Sequence, residues 1–148
     1  IWSTGASVRR TERWSGEQFD EELSMDPKHV RLGRLNNGAP FLRDHRVSTD
    51  TTVGVVEKAK IVGGEGIATV RFVPAGIDPE ADKLFEKIRA GIVQNVSVGY
   101  QIHRTERIES TDSKVTTLRV VDWEPHEISA VAAGAARLRA GGRRRDRG

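Results

Sequence analysis

The sequence predicts a mainly β domain with α-helix, of the α+β class, in which the strands form a barrel-like or sandwich arrangement with helices packed on it. Three observations support this prediction: several runs rich in β-branched residues, one strongly marked helix between them, and no regular strand–helix–strand repetition. The 148 residues are enough to bury a core as one domain. We place this domain at residues 1–136, followed by a basic flexible tail or linker at 137–148.

The first 52 residues predict short elements between loops. Residues 1–15 are expected to hold one early strand. Residues 15–24 predict a short helix, because Phe19 and Leu23 would share one helical face. Residues 26–52 are rich in Pro, Gly, Asn, Asp and Arg, which is typical of long loops, and such loops in compact domains are often functional.

The next segment predicts a β-hairpin. Residues 53–62 and 67–73 are rich in β-branched side chains, and residues 63–66 between them include three glycines. This combination of strand formers and turn glycines is typical of two antiparallel strands.

The clearest predicted element is a helix at residues 79–90. Asp78 is a favourable N-cap, Pro79 suits the first helical position, and Gly91 supplies the stop. One apolar stripe indicates a structural helix, formed by Ala81, Leu84, Phe85 and Ile88.

Three strands are predicted after the helix, at residues 92–104, 115–121 and 127–132. In the first of them, apolar side chains alternate with small and polar ones. Ser97 and Gly99 fall on the polar face of that strand.

Composition excludes several kinds of site. The chain has no cysteine, which excludes disulfides, zinc–thiolate sites and a thiol nucleophile. Its four histidines are scattered without metal-binding spacing, and no phosphate-binding glycine loop is present, so we expect no metal and no cofactor. No apolar run is long enough for a bilayer and no signal peptide opens the chain, so we expect an intracellular protein without a membrane partner.

The positive charge is concentrated at the C-terminal end. The net charge is +3, and the last dozen residues contain Arg137, Arg139, Arg143, Arg144, Arg145 and Arg147. Without interleaved aromatic residues or a binding fold, this run favours a solvated tail or a linker over a phosphate-binding arm. We therefore do not expect nucleic acid as a partner.

Ser97 is the candidate nucleophile. Its strand would hold the hydroxyl on a stiff element, and Gly99 on the same face would leave space for a substrate carbonyl. An ordinary strand serine fits the same pattern.

His45 is the candidate base, because it follows the turn-like segment at residues 40–44 and a neutral imidazole can accept a serine proton. His29 and His103 are competitors. Glu127 or His126 would hold the tautomer of the base. Spacing alone indicates no more than a serine hydrolase.

Three blocks in register make residues 8–136 resemble the prohead (capsid maturation) proteases of tailed phages of the HK97 kind, which are distantly similar to herpesvirus assemblins. The blocks are GAPFLRDH at residues 38–45, GIVQNVSVGY at 91–100 and VDWEPHEISAV at 121–131. They place 52 residues between the histidine and the serine, and 30 between the serine and Glu127. The chain departs from the family after the third block, where a proline-rich stretch is replaced by residues 131–135.

The resemblance implies an assemblin-like open β-barrel and a serine endopeptidase mechanism. Ser97 would be the nucleophile, His45 the base and then the acid, and Glu127 the residue that orients His45. His126 is the alternative third member, since the herpesvirus relatives use a second histidine. The implied oxyanion donors lie around residues 134–137.

The implied substrates are the scaffold, the delta segment of the major capsid protein, and the protease itself, cleaved inside the prohead in the host cytoplasm. A homodimer or higher oligomer is implied by analogy alone. Two other functions remain open: an inactive capsid-assembly or scaffolding module of the same fold, and a nucleic-acid binder working through the arginine tail.

Overall fold

The computed structural model describes residues 5, 8–12, 14–109, 115–134 and 136–138. Within these residues the chain forms eight strands and one α-helix, which confirms the predicted mainly β, α+β class. The sheet curls into a half-barrel, and in the described part of the chain one α-helix accompanies it instead of the several that were expected. The elements are β1 (Val8–Thr11), β2 (Gln18–Leu23), a single 3-10 turn (Pro27–His29), β3 (Pro40–Arg43), β4 (Thr52–Val62), β5 (Glu65–Phe72), α1 (Pro79–Arg89), β6 (Asn95–Ile108), β7 (Thr116–Val131) and β8 (Ala136–Arg137).

Strand β7 is the centre of the sheet. One of its edges pairs antiparallel with β6 along nearly the whole length of both strands. Its other edge pairs in parallel with β2 and, further along, with β3. Ile128 therefore has Val98 of β6 on one side and Phe41 of β3 on the other. This pairing brings the two segments that carry Ser97 and His45 to the same end of β7.

The remaining strands extend the sheet outwards. Strand β1 pairs with β2, β4 pairs with β3, and β5 pairs with β4, all antiparallel. Strand β8 pairs with β6 only at Asn95 and Val96. Arg137 thus lies in a strand, and the predicted tail beyond it stays a prediction because residues 139–148 are outside the described part of the chain.

Helix α1 confirms the predicted helix and its cap. The Asp78 carboxylate accepts a hydrogen bond from the Glu80 N–H at 3.1 Å, and Pro79 occupies the first turn. The apolar stripe is buried, with the exposed fractions of Ala81, Leu84 and Ile88 at 8% or less. Burying such a leucine or isoleucine contributes about 1.5–3 kcal/mol, so this face fixes the helix on the sheet.

A row of three phenylalanines links this helix to the strand before His45. Phe85 of α1 meets Phe72 of β5 edge-on at 5.1 Å between ring centroids. Phe72 in turn meets Phe41 of β3 at 5.4 Å, and Phe41 is fully buried. Strand β3 is therefore anchored in the core four residues before the histidine.

The predicted hairpin is confirmed as β4 and β5, with a tighter turn than expected. Gly63 and Gly64 alone form the turn, with φ of 58° and 76°. Two successive left-handed residues are what a two-residue turn with the twist of the flanking strands requires, and glycine adopts them at low cost.

The helix predicted at residues 15–24 is wrong, because residues 18–23 form strand β2. Phe19 and Leu23 are four residues apart, and this spacing places two side chains on one face in a strand as well as in a helix. Residues 18–23 adopt the strand because β2 pairs with β1 on one edge and with β7 on the other.

The two strands predicted at residues 115–121 and 127–132 are one strand, the 16-residue β7. Pro125 lies inside it, opposite Tyr100, at a register shift where His126 is the extra residue. A proline is tolerated in a strand at such a bulge because the ladder is already interrupted there.

Strand β6 begins three residues later and ends four residues beyond the predicted 92–104. Its predicted alternation holds at Val96, which is buried, and fails at Ile102, which is 40% exposed. Residues 101–107 of β6 are exposed on both faces of the strand, so this part of β6 lies beyond the core and its alternation has no buried face.

The single α-helix of the described residues has 11 residues, too few to span a bilayer.

Candidate active site

His45 lies directly after β3, at a bend made by two left-handed residues. Residues 40–43 are a strand rather than the predicted turn, and Asp44 and His45 have φ of 54° and 57°. For residues other than glycine this conformation costs roughly 1–3 kcal/mol each and persists only where the surroundings impose it. Such backbone strain is found most often at functional sites.

Two hydrogen bonds to β7 hold this bend. The Asp44 N–H donates to the Ala130 carbonyl at 3.1 Å, and the His45 N–H donates to Ser129 Oγ, also at 3.1 Å. The bend is further held by the buried Thr51, whose backbone carbonyl accepts from the Arg43 N–H at 3.0 Å. The main chain of His45 is therefore fixed against the centre of the sheet.

The imidazole of His45 meets the carboxylate of Glu127. Nδ1 of His45 is hydrogen-bonded to Oε1 of Glu127, and Oε2 accepts the Ser129 hydroxyl at 2.8 Å. Glu127 is 4% exposed, whereas the His45 side chain is 39% exposed. With a carboxylate on Nδ1, the proton of a neutral imidazole lies there and leaves Nε2 free to accept one.

Ser97 lies on β6 directly opposite Ser129 of β7. Side chains at directly opposed positions share one face, with their Cβ atoms about 4.5–5.5 Å apart. Ser97 is partly exposed and Ser129 is fully buried, so Ser97 alone of this pair is accessible to a polypeptide. Within the described residues the Ser97 hydroxyl makes no hydrogen bond, and none joins it to His45. Such contacts in serine hydrolases often tighten only when substrate binds.

The structure corrects the role expected for Gly99. Its place on the Ser97 face is confirmed, but the space beside it is occupied by Glu127, which is its partner in the β6–β7 register. A Cβ at position 99 would lie 2.1 Å from Oε1 of Glu127. Gly99 therefore makes room for a carboxylate, not for a substrate carbonyl.

The competing histidines lie elsewhere. His29 Nδ1 is 2.7 Å from Ser24 Oγ, and His103 Nε2 is 3.6 Å from the carboxylate of Glu124. His126 is the extra residue at the register shift in β7 and, among the described residues, makes no hydrogen bond to His45.

The segment that the family resemblance implies as the source of oxyanion donors lies beside the strand of Ser97. Strand β8 pairs with Asn95 and Val96, immediately before Ser97. A Cβ at Gly134 would lie 3.0 Å from the Val96 carbonyl, which shows how closely this backbone approaches β6. Residue 135, in the middle of the segment, is outside the described residues.

Two further polar contacts involve β6 or β7. Arg31 forms a two-pronged ion pair with Asp122, both distances 2.8 Å, and the Arg31 hydrogen bond holds the pKa of Asp122 below its usual range. Burial, with the Glu21 hydrogen bond, raises the pKa of Tyr100 to about 12.

Within the described ranges of the chain, no three His, Cys, Asp or Glu side chains are grouped to hold a metal ion. The expected lack of a metal and a cofactor stays a prediction.

Sequence reasoning missed Ser129. It joins His45 and Glu127, yet the sequence offers only one signal for it. Glu127 and Ser129 are two residues apart in a strand and therefore share a face. That spacing predicts that Glu127 and Ser129 lie close together, but it does not predict that the bend at Asp44 and His45 packs against them.

Comparisons with known proteins give the following matches. A family model described as caudovirus prohead serine protease matches residues 63–139, which include Ser97 and Glu127 but not His45. A major capsid protein of Halomonas phage phiHAP-1 is 32% identical over 126 residues, which cover 84% of this chain and 20% of that protein. The chain thus spans about one fifth of the length of this curated relative. No solved structure matches the chain.

Proposed function

Since the chain belongs to the family of caudovirus prohead serine proteases, whose model matches just over half of it, we propose that it is a serine endopeptidase of phage capsid maturation. Ser97 is the nucleophile, His45 the general base and acid, and Glu127 the residue that orients His45. The observation that carries this assignment is the hydrogen bond from His45 Nδ1 to Glu127 beside a partly exposed Ser97.

The proposed reaction is acyl transfer from a peptide to water. Ser97 Oγ attacks the scissile carbonyl carbon while its proton passes to Nε2 of His45. The C–N bond then breaks, and the same proton leaves Nε2 for the departing amine. Water attacks the resulting ester, gives a proton to His45, and releases the new carboxyl end as Ser97 regains its hydrogen.

Glu127 supports this cycle in two ways. It holds the imidazole with Nε2 unprotonated before attack, and it stabilises the imidazolium that forms during attack. Because Glu127 is nearly fully buried, its charge acts in a medium where such interactions are strong. In the alternative assignment His126 would do this, but it lacks the contact to His45.

The proposed substrates are capsid components, namely the scaffold and delta segments of the major capsid protein, with self-cleavage as a second event. The similarity to a named major capsid protein supports this class of partner. The proposed place of action is the interior of the prohead in the host cytoplasm, and a homodimer remains a prediction.

The test is cleavage of a co-expressed capsid or scaffold protein, with the cut mapped by mass spectrometry. Ser97→Ala and His45→Ala should each abolish cleavage, because neither nucleophile nor base can be replaced by a neighbour. Glu127→Gln should reduce cleavage strongly, whereas His126→Ala, one residue away, should leave it near the wild-type rate.

His29→Ala is the matched control for His45→Ala, since it removes a histidine that contacts a serine outside the candidate site. Persistent cleavage in both Ser97→Ala and His45→Ala would overturn the assignment. A wild-type chain that joins capsid shells and leaves every component intact would instead identify an inactive assembly module.

A further inference from the structure

Ser129 closes a ring of hydrogen bonds that begins and ends at His45. The His45 N–H donates to Ser129 Oγ, the Ser129 hydroxyl donates to Oε2 of Glu127, and Oε1 of Glu127 bonds Nδ1 of the same histidine. The ring therefore connects the main chain of His45 with its own side chain through two residues of β7.

The direction of each bond in this ring is fixed by chemistry. A backbone N–H can only donate and a carboxylate can only accept, so the single proton of the Ser129 hydroxyl must point to Glu127. The same hydroxyl offers a lone pair to the His45 N–H. The Ser129 hydroxyl and the Nδ1–H group of His45 therefore each donate to one oxygen of the buried Glu127 carboxylate.

Ser129 cannot itself meet a substrate. It is 0% exposed, whereas the Ser97 side chain opposite is partly open to solvent. Its neighbours in the strand, Ile128 and Ala130, are buried in the core. Any effect of Ser129 on the reaction must pass through His45 and Glu127.

We propose that Ser129 is a positioning residue, which fixes the His45 imidazole by tying the His45 main chain to the Glu127 carboxylate. This inference rests on the proposed function for its kinetic consequence. The ring itself can be tested without any substrate.

The kinetic test compares Ser129→Ala with the wild-type chain in the cleavage assay. The variant should lose about 10- to 100-fold in kcat, the effect of losing one hydrogen bond to a charged carboxylate and one from a backbone N–H, with KM nearly unchanged. Ser129→Thr keeps the hydroxyl and should recover most of the rate. The matched control is Ser24→Ala, which removes a serine–histidine hydrogen bond outside the site and should keep the wild-type kcat.

The substrate-free test is the proton resonance of the His45 Nδ1–H, identified by its loss in His45→Ala. A proton held between an imidazole and a carboxylate is strongly deshielded and slow to exchange. The signal should be present in wild-type and Ser97→Ala chains, absent or broadened in Ser129→Ala, and restored in Ser129→Thr.

The outcomes separate this proposal from the function it rests on. A wild-type chain that cleaves nothing, yet shows an Nδ1–H resonance that is lost in Ser129→Ala, would overturn the protease assignment and support the positioning role of Ser129. Wild-type kcat, or an unchanged resonance, in a folded Ser129→Ala chain would overturn the positioning role. If Ser129→Ala does not fold, Ser129→Cys fills the same place with a weak donor and is read by the same two measurements.

Discussion

A glycine on β6 allows a carboxylate to reach the imidazole of His45. Glu127 occupies the volume that any side chain at position 99 would fill, and the φ of Gly99 is outside the left-handed region. An alanine at position 99 would consequently fit the backbone conformation but would clash with the Glu127 carboxylate. A substitution at Gly99 therefore displaces Glu127 while all three proposed catalytic side chains are retained.

Gly99→Ala should lower the cleavage rate by at least tenfold, because the new methyl group would lie 2.1 Å from Oε1 and displace Glu127 from His45. The free energy of unfolding should fall by about 1–3 kcal/mol through overpacking. Cleavage kinetics and urea unfolding measure the two effects.

Gly33→Ala is the matched control, since a Cβ at that glycine would meet nothing within 4 Å. It should change neither quantity. Wild-type cleavage by Gly99→Ala would show that the position of Glu127 does not matter for the reaction.

Single residues were the hardest part of the site to predict from the sequence. Ser97 and Gly99 were assigned correctly to one strand face, since alternation in a strand is a local property. What fills the space beside Gly99 depends on the neighbouring strand and its register, and the sequence of β6 contains neither. For the same reason Ser129 was missed.

At the scale of the elements, β6 and β2 flank the central strand and are joined across it by one side chain. Tyr100 of β6 donates a hydrogen bond to the carboxylate of Glu21 on β2. Its ring meets Trp123 of β7 edge-on, with 5.6 Å between centroids. Such a bond between strands that do not pair with each other stabilises the curl of the sheet.

This contact gives the fold a defined alkaline limit. Burial, and then the Glu21 hydrogen bond, raise the pKa of Tyr100 from 10.0 to about 12, so the folded state favours the protonated phenol. The stabilisation is complete below pH 10 and is lost as the pH rises from there to about 12. Tyr100→Phe should flatten the fall of the unfolding free energy over that interval.

Tyr100 is the only tyrosine in the chain, so tyrosinate absorbance reports its titration directly. The folded chain should titrate near pH 12 and the urea-unfolded chain near the ordinary value. Coincident titration of the two states would contradict this account.

The elements with local signals were predicted well. Helix α1 has its cap, proline and apolar stripe within a few residues of each other, and the β4–β5 hairpin has its two glycines. Strand β2 and the unbroken β7 were not predicted, because each depends on partners far away in the sequence. The β2–β7 pairing joins Phe19 to Thr116, and no local pattern contains that information.

On the scale of the whole molecule, the candidate site is non-local. The His45–Glu127 contact joins residues 82 apart, and the His45–Ser129 contact joins residues 84 apart. Both contacts are made to residues of the central strand β7, so the sheet itself is the framework of the site. Separation of β3 from β7 would remove both bonds that hold the bend at Asp44 and His45.

Loss of cleavage and loss of the sheet should therefore coincide. In a urea titration, the midpoints from the cleavage rate and from far-UV circular dichroism are expected to agree within error, as in a two-state transition. Ser129→Thr should shift both midpoints together. Cleavage that disappears well before the dichroism signal would mean that the bend after β3 opens independently of the sheet.

The central position of β7 also has a consequence for the order of events during synthesis. His45 leaves the ribosome first, Ser97 follows 52 residues later, and Glu127 follows another 30 residues after the serine. At about 5–20 residues per second, these last 30 residues take roughly 1.5–6 seconds. During that time the nascent chain has the proposed nucleophile and base but not the strand that aligns them. For the proposed function, the order of the strands therefore delays completion of the site until β7 has been made.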